Sequence, residues 1–206
     1  SEARLLLCSD RDDARAVLAA VEAPAALERV LSVERDVDAL TAAAPSPHEG
    51  PLPQDEDTAL LIYTSGTTGR SKGVQLSFRA IERNIGALTR AWRFSPEDRL
   101  SLQLPLFHVH GLCIGVYGTL LHGMTALLAR RFDPGVVIED FRERGASVFM
   151  GVPTLYTRLL EHLAAHPDDA AALQRGRLFT AGSAPLSASD LFAFERLTGH
   201  RILERY

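Results

Sequence analysis

Short apolar runs alternate with amphipathic stretches along almost all of the 206 residues. The runs at 4–8, 29–33, 59–63, 99–104, 125–129, 147–150, 177–181 and 201–203 are short and apolar enough for strands. Helical periodicity occupies 12–21, 78–92, 111–122, 134–144, 154–166 and 189–197. In the last of these, Leu191, Phe194 and Leu197 form a half-apolar stripe, and Gly199 stands where a helix stops. Strands and helices alternating at this spacing predict an α/β fold, a mostly parallel sheet with helices on both faces. Such sheets hold ligands at the carboxyl ends of their strands, where the chain turns into helices. Segment 41–57, TAAAPSPHEGPLPQDED, has no periodicity and predicts a loop or linker, dividing the chain into 1–57 and 58–206.

Composition narrows the class. The chain is 46% hydrophobic and 23% charged, as ordinary globular proteins are. A net charge of −4 without a basic run argues against general nucleic-acid binding. No apolar run reaches the ~18–20 residues of a membrane span, and no signal peptide opens the chain. A cytoplasmic protein is expected, with Cys8 and Cys113 as buried reduced thiols rather than a disulfide. The chain starts almost directly in a strand and stops on RILERY at a strand edge, which predicts a piece of a longer polypeptide.

The stretch YTSGTTGRSKG, residues 63–73, carries the chemistry. Gly66, Gly69 and Gly73 permit backbone conformations in which N–H groups converge on an anion. Thr64, Ser65, Thr67 and Thr68 add hydroxyl donors, and Lys72 adds a point charge suited to phosphate. Following the run 59–63 and preceding the helix at Phe78, the stretch is expected at the ligand end of the sheet. One reading is a surface loop without a ligand. A P-loop is excluded, because that motif sets Lys next to Gly and follows it with Ser or Thr, whereas Arg70 and Ser71 intervene here. The remaining reading is a nucleotide loop of another class.

YTSGTTGRSKGV resembles the phosphate-binding signature of the adenylate-forming superfamily, which comprises acyl-CoA synthetases, luciferases and peptide-synthetase adenylation domains. LPLFHVHGL (104–112), AGSAPL (181–186) and ERY (204–206) resemble later motifs of that family in the expected order, so the resemblance covers about residues 55–206. It implies part of the large domain of an enzyme that joins a carboxylic acid to ATP and then to a thiol. ATP, Mg²⁺ and coenzyme A, or a carrier-protein thiol, are the implied cofactors and partners. The implied nucleotide-binding residues are Thr64, Ser65, Gly66, Thr67, Thr68, Gly69 and Lys72, then Gly182, Ser183, Ala184, Pro185, Glu204, Arg205 and Tyr206. Catalytic roles are implied for Lys72 and His108, and acyl-substrate contacts for His108, His110, Arg158 and Ser183. No protein side chain is assigned to metal. Read without the family, the histidines suit a structural role as well as a site, 182–185 suits an ordinary strand-to-helix turn, and Tyr206 suits an aromatic plug.

FHVHGL together with MGVPTLYTRLL resembles the malonyl-CoA synthetase branch, where an arginine at the position of Arg158 holds the free carboxylate. The alternative for Arg158 is a solvent-facing side chain at helical spacing from Glu161 and His162. FHVHGL alone also resembles oxalate-activating ligases. A ligase for oxalate or a short to medium monocarboxylate, and a non-catalytic nucleotide-binding module, stay open beside malonate or methylmalonate. The sequence departs from the family in two places within the loop: Ser71 stands where proline is frequent, and Phe78 where histidine is common. The Gly-x-Thr-Glu continuation, the ribose-binding aspartate and the small domain with its catalytic lysine are not in the sequence. Residues 1–206 alone are therefore expected to form no acyl-CoA.

Overall fold

The computed structural model describes residues 4–9, 16, 18–19, 25–43, 50–64 and 71–205. The chain divides into two compact units, Ser1–Leu52 and Pro53–Tyr206. In the first, β1 (Leu5–Cys8) and β2 (Arg29–Ser32) pair in parallel, with Leu5 opposite Arg29 and Cys8 opposite Ser32. Helix α1 (Val33–Ala43) follows β2 without a loop. The Asp36 carboxylate accepts the Ser32 N–H at 2.7 Å, and the Ser32 hydroxyl donates to the Ser9 carbonyl at 3.1 Å. Side chains thus satisfy backbone groups where strand becomes helix. Two expectations are corrected here. The strand stops at Ser32, and Thr41 to Ala43 form the last turn of α1 rather than linker; Val33, Val37 and Leu40 carry the helical spacing. The helix expected at 12–21 falls largely outside the described residues.

The second unit opens with a hairpin of β3 (Thr58–Thr64) and β4 (Lys72–Ser77), antiparallel, with Thr64 opposite Lys72. This corrects the expected placement of the hydroxyl-rich stretch. It joins two antiparallel strands, and β3 pairs outside the parallel sheet. KGVQLS alternates apolar Val74 and Leu76 with Gly73, Gln75 and Ser77, the period of a half-exposed antiparallel strand. Helix α2 (Phe78–Trp92) starts directly after it, and the Ser77 hydroxyl caps it by accepting the Ala80 N–H at 3.2 Å.

Five parallel strands form the main sheet: β5 (Arg99–Leu102), β6 (Thr125–Leu128), β7 (Val148–Gly151), β8 (Leu178–Gly182) and β9 (Ile202–Arg205). Their spatial order is β6-β5-β7-β8-β9. Val148, Phe149 and Met150 alternate between the two faces of β7, yet all three are fully buried, so both faces are covered. The covering elements include α4 (Pro134–Arg142), α5 (Pro153–Ala165), α6 (Ala170–Leu173) and α7 (Ala188–Thr198). The expected helix 111–122 is a π-helical segment, His110–Tyr117, continued by the short α3 (Gly118–Leu121). β5 leads to β6 on one side while β7 lies on the other, so the connections diverge at the carboxyl ends of β5 and β7. Such a switch point leaves a crevice for a ligand.

One ion-pair cluster braces the opposite end of the sheet. Arg177, just before β8, donates from Nε to Asp98 at 2.7 Å and also through Nη2, and Ser147 donates to Asp98 at 2.7 Å. The same guanidinium reaches the Trp92 and Arg93 carbonyls at 2.9 and 3.1 Å, holding the end of α2. Burial pushes the Asp98 carboxyl up, but hydrogen bonds from Arg177, Ser147 and the Ser95 N–H outweigh it and hold the group below its ordinary value. Arg177→Ala leaves Asp98 buried and partly unpaired, an expected loss of about 3 kcal/mol, the low end for such pairs because Arg177 is part-exposed. In urea the midpoint should fall with an unchanged slope. A depressed carboxyl pKa stabilises fully above the unfolded value, roughly 4, and the contribution fades as pH drops towards the folded one. The acid-side loss of stability should therefore be shallower in the variant.

Candidate active site

The carboxyl ends of β5, β7 and β8 open into a cleft of about 400 Å³, lined by His108, His110, Val152, Thr154 and Ser183 among others. These residues follow three different strands, as the switch-point geometry requires. After β5 the chain doubles back: the His108 N–H donates to the Pro105 carbonyl at 3.3 Å, and the His108 carbonyl accepts the Leu112 N–H at 2.9 Å. Gly111 makes that reversal possible, since a Cβ there would lie 2.4 Å from the Pro105 carbonyl oxygen. The exposed His108 ring lies against Phe107, centroids 4.5 Å apart. Thr154 comes from the first turn of α5, which fully buried Tyr156 fastens to β8 by donating its hydroxyl to the Thr180 carbonyl at 3.0 Å. Thr154 is a cleft residue that sequence reasoning missed; its signal is a hydroxyl directly after a strand and the helix-opening Pro153.

His110 is different from His108. It is 6% exposed, and its Nε2 has no hydrogen-bond partner among the described residues. Burial, and secondarily the charge of Arg205, lower its pKa to about 4. The imidazole is thus neutral at pH 7 and can offer one N–H to an oxygen anion. It packs on Gly182, where an added Cβ would stand 3.1 Å from the ring. An NMR titration should find His110 neutral at pH 6. The unfolded chain takes up this proton near pH 6.5 and the folded chain only near 4, so stability should decline across that window by about 3 kcal/mol. His110→Phe should remove this slope, as measured by unfolding at pH 7 and pH 4.5.

The turn after β8 carries backbone strain. Ser183 has φ +71°, a left-handed conformation uncommon outside glycine, at the cleft wall. Gly182 pairs with Arg205 across β8 and β9, and Glu204 accepts the Leu186 N–H at 2.8 Å, bracing the segment 183–186 from β9. Ala184 and Pro185 are exposed on that segment. Arg205 is half-buried, with no partner for Nη1 among the described residues. It lines a second cavity, of about 440 Å³, with Thr64 and the apolar side chains of Ile62, Val74, Cys113 and Ile114.

The remaining expected residues lie elsewhere. Thr64 and Lys72 end β3 and begin β4, both exposed, and Lys72 makes no ion pair among the described residues. Ser65, Gly66, Thr67, Thr68, Gly69 and Tyr206 fall outside the described residues. Arg158 is exposed on α5, its guanidinium 4.8 Å above the Phe132 ring, and it does not line the cleft with His108, His110 and Ser183. Cys8 and Cys113 are free thiols, Cys113 buried and Cys8 half-exposed.

The chain is 36% identical over 180 residues to the human mitochondrial malonate–CoA ligase ACSF3, covering 81% of the chain and 31% of that protein. Its fold superposes on apo MatB from Rhodopseudomonas palustris with a TM-score of 0.85 and 34% identity, over all of the chain and 40% of that structure. A malonyl-CoA ligase bound to methylmalonyl-CoA and AMP matches at a TM-score of 0.73 and 33% identity, over 98% of the chain and 51% of that structure. The chain therefore spans about a third of the length of the curated relative and up to about half of these structures. The profile of the AMP-binding enzyme family matches residues 1–206, and the chain belongs to that family.

Proposed function

We propose that the protein carrying this chain uses ATP to convert a small carboxylic acid, malonate or methylmalonate, into an acyl-adenylate and then a coenzyme A thioester. The observation that carries this reading is the convergence of His108, His110, Thr154 and Ser183 on one cleft at the switch point of the sheet. The likeness to proteins named as malonate–CoA and malonyl-CoA ligases supports the choice of acid.

The acid's carboxylate oxygen attacks the α-phosphorus and pyrophosphate leaves; the thiol then attacks the acyl carbonyl and AMP leaves. Carboxylate and polyphosphate repel each other, so the site must supply donors and an in-line geometry. In our reading residues 64–69 and Lys72 hold the β- and γ-phosphates. Residues 182–185, Glu204, Arg205 and Tyr206 border the adenine and α-phosphate. His108, at the open side of the cleft, donates to the attacking carboxylate, and neutral His110 offers an N–H from the buried side. Mg²⁺ would come to the site with the polyphosphate that residues 64–69 and Lys72 hold, and would offset its negative charge. The thiol is coenzyme A or a carrier-protein pantetheine. No helix among the described residues is long and apolar enough to cross a membrane, and a cytoplasmic location belongs to the proposal.

ATP–pyrophosphate exchange by the whole protein tests this reading, with malonate, methylmalonate, oxalate and acetate compared. Malonate and methylmalonate should exchange fastest. Exchange with none of the four would overturn acid activation, and a preference for acetate would favour a monocarboxylate ligase. That second reading has one observation behind it, the position of Arg158 over Phe132 and off the cleft.

A further inference from the structure

The N–H groups at the start of a helix need acceptors from outside it, and the first turn of α5 leaves one without. Val152 holds the capping position in extended geometry but carries no side-chain oxygen, so no side chain caps this helix of 13 residues. Pro153 has no N–H to satisfy. The Leu155 and Tyr156 N–H groups donate to the Val152 carbonyl at 2.9 and 3.3 Å. The Thr154 N–H meets no acceptor among the described residues. Elsewhere in the fold Ser77, Asp133 and Ser187 cap α2, α4 and α7 with side-chain oxygens. Val152, Thr154 and Leu155 all line the cleft of about 400 Å³, so the spare donor and the positive end of the helix lie at its wall.

His110 is an independent sign that the cleft is built for an acceptor. It lines the same space from the π-helical segment, is 6% exposed and makes no hydrogen bond among the described residues. Its Nε2 is enclosed, which leaves Nδ1, on the Gly182 side, as the nitrogen for a ligand in the cleft. No Asp or Glu lines the cleft, so nothing there repels an anion. We propose that the amino end of α5 is a carboxylate subsite, in which the Thr154 N–H and hydroxyl hold the carboxylate of a diacid that does not react, with His110 as a further donor. Thr154 is then a specificity-determining residue. These donors are fixed by the fold, whereas Arg158, one turn further along α5, has to leave Phe132 to reach the same group.

The inference rests on the proposed acid activation and adds where the second carboxylate sits. Three variants test it. Val152→Thr has nearly the same shape and supplies a capping oxygen that takes the spare N–H for itself. Val152→Asp does so with a competing negative charge, and Thr154→Val removes only the hydroxyl. Pyrophosphate exchange by the whole protein is measured with malonate and with propionate, and KM for ATP is recorded. Val152→Thr and Thr154→Val should each lower the malonate-to-propionate ratio of kcat/KM about fivefold, with KM for malonate carrying most of the change. Val152→Asp should lower it on the order of tenfold or more, and Val152→Thr should melt no lower than the parent. Damage to the fold alone would lower both acids together and leave the ratio in place. A ratio unchanged in Val152→Thr and Thr154→Val, in proteins that melt like the parent, overturns the subsite. So does a raised KM for ATP with the acid ranking intact, which would give this helix end to the nucleotide. If the substitutions at 152 do not fold, an unchanged ratio in Thr154→Val overturns it equally. A parent that exchanges with propionate but not malonate overturns the subsite and leaves acid activation standing, whereas a parent that exchanges with no acid sinks the functional reading itself.

Discussion

Lys72→Ala is expected to lower the adenylation rate on the order of 10²-fold or more while leaving the fold intact, the usual consequence of deleting one preorganised donor from a charge-stabilising site. The position of Lys72 explains both halves of that expectation. It is the first residue of β4, opposite Thr64, so the hairpin fixes its backbone at the foot of the hydroxyl-rich stretch. Its side chain is exposed and pairs with no carboxylate among the described residues, so nothing in the folded core loses a partner when it is removed. In the reaction the α-phosphorus must accept an anionic oxygen while negative charge accumulates on the departing pyrophosphate, and a fixed ammonium lowers the energy of that state. Lys72→Arg should recover part of the loss, since charge is retained but the compact ammonium is not. Stopped-flow or exchange kinetics on the whole protein check this, with a melting curve to exclude unfolding. Unchanged kinetics for Lys72→Ala would remove the phosphate role.

The second large effect concerns the choice of acid. Arg158→Ala is expected to lower kcat/KM for malonate roughly 30-fold or more and to leave propionate nearly unchanged. Arg158 lies one helical turn beyond Thr154 on α5, hence on the same face as a residue that lines the cleft. Its stack on Phe132 is worth only about 0.5–1 kcal/mol at an exposed site. A charge-assisted bidentate pair with the free carboxylate of a diacid is worth about 2–5 kcal/mol when partly desolvated. The arginine can therefore leave Phe132 when a diacid arrives, and has no reason to when a monoacid does. Arg158→Lys should restore only part of the malonate activity, because the ammonium lacks the planar fork. Equal losses on malonate and propionate would make Arg158 structural and leave acid selection to the cleft.

The sequence by itself determined the parallel sheet. In β7 and β8 the apolar runs are continuous, which only a strand covered on both faces requires, and the amphipathic intervals between runs are long enough for crossover helices. It also marked where to look for a site, because a hydroxyl-rich, glycine-rich stretch with a lysine has no place in a core, and FHVHGL follows β5 while AGSAPL spans the end of β8. Local cues were weaker for α1, which follows β2 with no loop to announce it, and for β4, which is half-exposed and adjoins α2 without a break. Tertiary structure alone decided that the hydroxyl-rich stretch joins two antiparallel strands rather than a parallel strand and a helix, because strand pairing is a contact between distant residues that periodicity does not encode. It alone separated two histidines two residues apart: His108 faces solvent, while His110 is enclosed by Gly182 and stands near Arg205, which is 95 positions later in the chain. Burial is a property of what packs around a side chain, and so is the lowered pKa of His110.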